Sequence, residues 1–183
     1  MTLRITGIAG SLGRPSRTRA LVTLATARVA ERHGGQAQVF DLNDLQPGLG
    51  TAGRIEDLPA EARRIVDLIR AADVLVVGSP VYKGSYSGLF KHLFDLIEPA
   101  DLAGKPVLLT ATGGGEKHAL VIEHQLRPLF AFFEAAVLPT GVYAAPADFT
   151  EGQPPAPGLL ARLDRGIDQL SAVLGHRPDA RAA

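Results

Sequence analysis

The chain has no cysteine and no tryptophan among its 183 residues. The first absence excludes disulfides, thiolate nucleophiles and sulfur-ligated metal sites. The second, with only three tyrosines, leaves few rings to sandwich a flat ligand. Charge of one sign is also missing, since 19 Lys plus Arg balance 19 Asp plus Glu. A balanced chain creates no global field for nucleic acid or an acidic membrane surface. No stretch approaches the roughly 20 apolar residues of a membrane span, and the opening MTLRITGIAGS is too short an apolar run for a signal peptide. These absences point to a cytoplasmic protein that handles small molecules, with residues 1–183 forming one domain able to bury a core without staples.

What is present is an alternation of strand and helix signals. Strands are expected at residues 3–9 (LRITGIA), 36–42 (QAQVFDL), 74–78 (VLVVG), 106–112 (PVLLTAT) and near 136–143. The unbroken apolar run at 74–78 is the mark of a strand covered on both faces, as in a parallel sheet. Helices are expected between them: an apolar-periodic stretch including Leu21, Val22, Leu24, Ala25 and Val29, then residues 59–72, 87–97 and 118–133. A loop at 146–157 with four prolines leads to a last amphipathic helix near 159–174. Right-handed βαβ units of this kind build an open, doubly wound α/β sheet, in which ligands sit outside the carboxyl ends of the strands.

Three loops meet at that end. The first reads Gly10-Ser11-Leu12-Gly13-Arg14-Pro15-Ser16-Arg17-Thr18 and opens a helix. Backbone N–H groups, a helix N-terminus, three hydroxyls and two arginines make it suited to a phosphate dianion. It is not a Walker A loop, which needs Gly-Lys-Ser/Thr. Nor is it the dinucleotide fingerprint, because the glycines fall at 7, 10 and 13 rather than as G-x-G-x-x-G. The second loop, Ser79-Pro80-Val81-Tyr82-Lys83-Gly84-Ser85-Tyr86-Ser87-Gly88, can present backbone polar groups along a heterocycle. The third, Thr112-Gly113-Gly114-Gly115, lets a ligand approach bare backbone. Together they describe a site for a flat ring carrying a terminal phosphate.

Other signals are weaker. His118 and His124 are six apart, on different faces of a regular helix, so no metal site is expected. No G-x-S-x-G elbow makes a nucleophile of Ser11 or Ser16. The apolar string Leu89, Phe90, Leu93, Phe94, Leu96, Ile97 suggests a helix buried on two faces, with subunit packing as the explanation. Lys91 and Asp95, four apart in the less favourable order for an ion pair, serve either a dimer contact or solvation.

The motifs GSLGRPSRT at 10–18, SPVYKGSYSGLFKHLFD at 79–95 and TGGGEKHALVIEHQLRPLF at 112–130 resemble those of the NAD(P)H-dependent FMN reductases of flavodoxin-like fold, in particular the flavin reductases of sulfonate assimilation. The likeness spans roughly residues 3–145 and fades in the proline-rich tail. It implies a three-layer sandwich with a five-stranded parallel sheet in the order 2-1-3-4-5. It also implies that Ser11, Arg14, Ser16 and Thr18 hold the FMN phosphate, that Pro80, Val81, Tyr82, Lys83, Gly84 and Ser85 line the isoalloxazine, and that Thr112, Gly113 and Gly114 contact its pyrimidine side. No catalytic acid or base and no metal is implied. The cofactors are FMN, as an exchangeable substrate or cofactor, and NADPH or NADH. The partners are a flavin-dependent monooxygenase that accepts reduced flavin and further copies of the chain, as a homodimer or homotetramer. The first arginine of the phosphate loop stands one residue later than in many relatives, at Arg14 with Gly13 in its usual place. At His124 the alkanesulfonate-type relatives insert a tyrosine that forms a π-turn; both a π-turn and an ordinary helix are open here.

Alternatives remain. A flavodoxin-type electron carrier fits the same loops, although carriers tend to be acidic. A dinucleotide-binding dehydrogenase would use Asp41 for a ribose, against the broken glycine pattern. A flavin-dependent quinone, azo or chromate reductase stays within the enzyme class.

Overall fold

The computed structural model describes residues 2–150 and 154–175. Five parallel strand positions form the middle layer. β1 (Arg4–Ala9) lies between β2 (Gln36–Asp41) and β3 (Val74–Pro80), and β4 (Pro106–Thr112) follows β3. The outer position on β4 is shared by two short strands, β5 (Ala136–Val137) and β6 (Val142–Ala144), both parallel to it. The order is therefore 2-1-3-4-5, as expected, with the last strand split. Its gap holds Pro139 and Gly141, a residue that cannot donate to a ladder and one that weakens it. The gap carbonyls find other donors: Arg127 bonds those of Leu138 (3.1 Å) and Pro139 (3.0 Å), and Arg162 Nε bonds that of Gly141 (2.7 Å).

Helix α1 (Arg17–His33), with α5 (Pro157–Asp168) and α6 (Leu170–Gly175), covers one face through Leu21, Val22, Val29, Leu159, Leu163 and Ile167. The helix expected at 159–174 is thus two helices, and residues 151–153 of the expected proline-rich loop lie outside the described residues. Helices α2 (Ala60–Ala71), α3 (Gly88–Asp95) and α4 (Arg127–Phe132) cover the other face. Neighbouring strand residues alternate between the two cores: Ile5, Val74 and Val76 face α1, while Ile8, Leu75 and Val77 face α2 and α3. Both faces are sealed, so a ligand has access only at the strand ends.

The apolar excess of α3 is taken up inside the chain. Phe90 and Phe94 are fully buried and pack edge-on or tilted against Phe130 and Phe133, with ring centroids 4.9–6.5 Å apart. The glycine spacing of the first loop also has a packing reason. A Cβ on Gly7 would fall 2.5 Å from Thr26 Oγ1, and one on Gly10 would fall 2.6 Å from the Phe90 ring.

The region expected to be a helix at 118–133 is composite. A π-turn occupies Ile122–Leu126 ahead of α4. Of the two possibilities left open at His124, the structure has the π-turn.

Candidate active site

The β1–α1 loop lies over the ends of β1 and β3, with Gly10 N bonded to the Gly78 carbonyl at 2.6 Å. Ser16 caps α1: its extended backbone (φ −122°) turns the chain and its Oγ accepts the Arg19 N–H at 3.1 Å. Ser11 and Ser16 hydroxyls share a hydrogen bond of 2.6 Å, and Thr18 shares one of 2.7 Å with Thr112 on β4. The latter bond ties the start of α1 to the end of β4, where the glycine loop begins. No acidic residue occupies the first turn of α1, whereas Arg17 and Arg19 do. Cations at a helix N-terminus oppose the macrodipole, so this end carries positive potential that the helix itself does not need.

The arginines divide. Asp41, fully buried at the end of β2, binds Arg19 Nη1 at 2.7 Å and Arg14 Nη2 at 3.3 Å, and Asp44 adds contacts at 3.1 and 3.8 Å. Burial pushes the Asp41 carboxyl up, but the Arg19 guanidinium and the Asn43 N–H outweigh it and hold the group below its ordinary value. Asp41 is therefore consumed by arginines, not offered to a ribose. Arg14, expected at the phosphate, points to this pair with its side chain 63% exposed. Arg17 instead lines the cleft and has no carboxylate partner among the described residues. The loop motif offers both arginines as charges for the phosphate, while the resemblance assigns only Arg14; the partners that separate the two come from another strand.

The cleft has a volume of about 220 Å³ and brings together Ser11, Ser16 and Thr18 with Pro80, Val81 and Tyr82 and with Thr112, Gly113 and Gly114. Lys83, Gly84 and Ser85 lie outside its walls. Lys83 (φ 53°) and Gly84 (φ 82°) form the tip of a two-residue turn, closed by reciprocal backbone bonds of 2.9 and 3.1 Å between Tyr82 and Ser85. Positive φ at both tip positions is the type I′ geometry, and glycine at the second suits it. Ser85 Oγ donates to Gln125 Oε1 at 3.0 Å, so the π-turn supports this loop from below. Ser87 Oγ donates to the Gly10 carbonyl at 2.7 Å, locking the loop to its neighbour.

One structural residue was missed by sequence reasoning. Tyr143 on β6 donates its hydroxyl to the Gly115 carbonyl at 2.6 Å, and a Cβ on Gly113 would lie 2.3 Å from that oxygen. Burial raises the phenol from its ordinary value, so it remains a donor at neutral pH. Tyr143 is thus the strut of the glycine loop. An isolated Tyr in a short edge strand carries no sequence signal for this.

His124 is exposed on the π-turn, and among the described residues no group of His, Asp and Glu could hold a metal ion. No helix among those residues is long and apolar enough to cross a membrane.

A hydroxyl-lined cationic pocket beside bare backbone amides can bind an anion and lay a planar ring along a loop edge. Comparison with known proteins identifies the family. The NADPH-dependent FMN reductase profile matches residues 3–150. The chain is 44% identical over 173 residues to the NADH-dependent FMN reductase SfnF of Pseudomonas fluorescens, covering 94% of this chain and 92% of that one. It is 43% identical over 176 residues to an FMN reductase (NADPH) of Pseudomonas aeruginosa, covering 96% and 95%. Among solved structures, an apo NADH:FMN oxidoreductase (EMOB) superposes with a TM-score of 0.85 at 31% identity, covering 98% of this chain and 94% of that one. The fold is flavodoxin-like, and the chain belongs to the NADPH-dependent FMN reductase family, as an enzyme that reduces FMN with a nicotinamide cofactor.

Proposed function

We propose that the cleft is where this reaction takes place, with the phosphate of FMN at the start of α1 and its ring along Pro80–Tyr82 and Thr112–Gly114. The observation that carries the reading is the anion seat: an α1 terminus with Arg17 and no acidic residue in its first turn, beside three hydroxyls that line the cleft. Charge-assisted hydrogen bonds to a phosphate would contribute about 1.5–3 kcal/mol each. The groups fit a flavin at the other end too, since Gly113 carries no side chain where the Tyr143 strut stands.

When bound, FMN supplies the ring that accepts hydride from a reduced nicotinamide. The chain's task is to hold that ring still and leave one face open, so the rate gain comes from proximity and orientation. No acid or base of the protein is required. Tyr82 at the rim of the cleft is 57% exposed, and no tryptophan is available to stack. These features support an exchangeable flavin that leaves once reduced. In this reading the protein works in the cytoplasm, reduced FMN passes to a separate monooxygenase, and the relatives' names fit a role in sulfonate desulfonation.

Self-association also belongs to this reading. Phe132 is 71% exposed beside a groove that includes Tyr86, Phe94, Ile97 and Leu129, and such an apolar face suits a second copy of the chain. Sedimentation of the wild type and of Phe132→Glu tests it; an unchanged monomer in both removes the proposal.

The functional test is steady-state oxidation of NADH and NADPH with and without FMN. Flavin-dependent turnover with a micromolar KM for FMN is expected. Nanomolar binding of oxidised FMN would overturn the exchange reading, and turnover without flavin would overturn the site.

A further inference from the structure

The loop that follows β3 is pinned firmly at its base. Ser79 Oγ accepts the Ser87 N–H at 3.0 Å and donates to the Pro80 carbonyl at the same distance, and the Val81 N–H donates to the Thr112 carbonyl at 2.7 Å. The tip has no such support of its own. Tyr82 and Ser85 form an isolated antiparallel bridge outside any strand, and so short a hairpin has little intrinsic stability. Its first tip residue is Lys83 at φ 53°, a position where type I′ turns favour Asn, Asp or Gly. A left-handed lysine persists only where its surroundings hold it there.

Among the described residues, one side-chain bond reaches that tip from elsewhere in the chain: Ser85 Oγ donates to Gln125 Oε1 at 3.0 Å. Both residues are half-buried. Gln125 stands on the π-turn between exposed His124 and fully buried Leu126. The turn is fixed on its own account, because the Arg127 N–H bonds the Ile122 carbonyl while Ile122 and Leu126 are anchored in the core. Gln125 thus offers its amide from a rigid platform. Tyr82 lines the cleft and Ser85 does not, so what the bond fixes is the course of the backbone between them. The Lys83 and Gly84 N–H groups at the tip donate to no protein atom among the described residues, which leaves Ser85 as the tip's tether.

We propose that Gln125 is a positioning residue for hydride transfer: by holding Ser85 it fixes the strained Lys83–Gly84 tip, and with it the Tyr82 wall of the cleft. The proposal rests on the FMN reductase reading, in which the flavin ring lies along that wall. Gln125 touches neither reactant and acts through Ser85. Because the rate gain of such a site comes from proximity and orientation, a tip that drifts costs turnover without touching the grip on the phosphate. Gln125 is therefore the counterpart of Arg17: one residue serves the alignment of the ring, the other the affinity for the anion.

The test measures kcat and KM with the preferred nicotinamide donor, using FMN and then riboflavin as acceptor, in the wild type, Gln125→Met, Gln125→Glu, Ser85→Ala and the double variant of Gln125→Met with Ser85→Ala. Gln125→Met keeps the length and removes the acceptor; it is expected to lower kcat about fivefold to tenfold, the worth of one part-buried hydrogen bond, with FMN and riboflavin alike. Ser85→Ala should match it, the double variant should lose no more than either single one, and Gln125→Glu, which keeps an acceptor oxygen, should return kcat to within about twofold of the wild type. The visible circular dichroism of the flavin at saturation should change in Gln125→Met and revert in Gln125→Glu. An unchanged kcat in Gln125→Met, additive losses in the double variant, equal losses in the Gln125→Met and Gln125→Glu proteins, or a loss confined to FMN overturns the proposal. The bond is cut from both sides, so misfolding of one single variant leaves the other to decide. Failure of the FMN reductase reading looks different: the wild type itself oxidises no donor when FMN is added.

Discussion

The two halves of the cleft are built on opposite plans. At the α1 end most polar groups are wired in advance, Ser11 to Ser16, Thr18 to Thr112, and Arg14 and Arg19 to Asp41, while Arg17 has no carboxylate partner among the described residues. At the glycine-loop end the walls are backbone, glycine and an exposed Tyr82, held from outside by Ser85–Gln125 and Tyr143–Gly115. The contrast separates two demands. An anion is gripped best by fixed donors that need no reorganisation, whereas a ring that must meet a second substrate has to stay uncovered.

The sharpest way to break this comparison is to exchange the arginines. Arg17→Gln should raise the KM for FMN about thirtyfold or more, from about 2 kcal/mol of lost charge-assisted bonding, and leave riboflavin, which has no phosphate, nearly unchanged. Arg14→Gln should change the FMN to riboflavin ratio far less. Equal effects of the two on that ratio would show that Arg14 leaves Asp41 for the phosphate. Second, Asp41→Asn leaves Arg19 facing a buried neutral group and should destabilise the fold by about 2–3 kcal/mol in urea melts. Because the folded-state value lies below the ordinary 3.8, the charge's contribution is complete above that value and is lost as pH falls through the lower folded value. The wild type should therefore lose its advantage over Asp41→Asn only below about pH 4.

The glycine-loop end gives a smaller effect with a sharper signature. Gly113→Ala places a methyl against the Tyr143 hydroxyl and should raise the KM for FMN about tenfold, an effect of about 1.4 kcal/mol. Adding Tyr143→Phe removes the clashing oxygen and should recover most of that loss, although Tyr143→Phe alone weakens binding. Additive losses in the double variant would show that Tyr143 does not set the loop. The smallest change is expected from Tyr82→Ala, within about threefold in KM for FMN, because an exposed rim side chain contributes little.

Much of this arrangement was legible in the chain itself. The central strands announce themselves most clearly, β3 and β4 being buried along their whole length, since a strand covered on both faces has little room for polar residues. The split in the last strand was also signalled, by Pro139 and Gly141, but an apolar stretch reads straight through them. The π-turn could not be resolved, because one added residue leaves helical periodicity on either side intact. The roles of Arg14 and Arg17 were beyond reach for a different reason. They are decided by Asp41 and Asp44, which reach the loop only through the pairing of β2 with β1.

The split outer strand has a consequence for how copies of this chain can meet. An exposed sheet edge invites another strand to add to it, which is the usual route to runaway aggregation. Here that edge offers two short segments, and the carbonyls between them are already occupied by Arg127 and Arg162. No continuous template is left, so association on this side must proceed through side chains, which can close on a defined stoichiometry where strand addition would not.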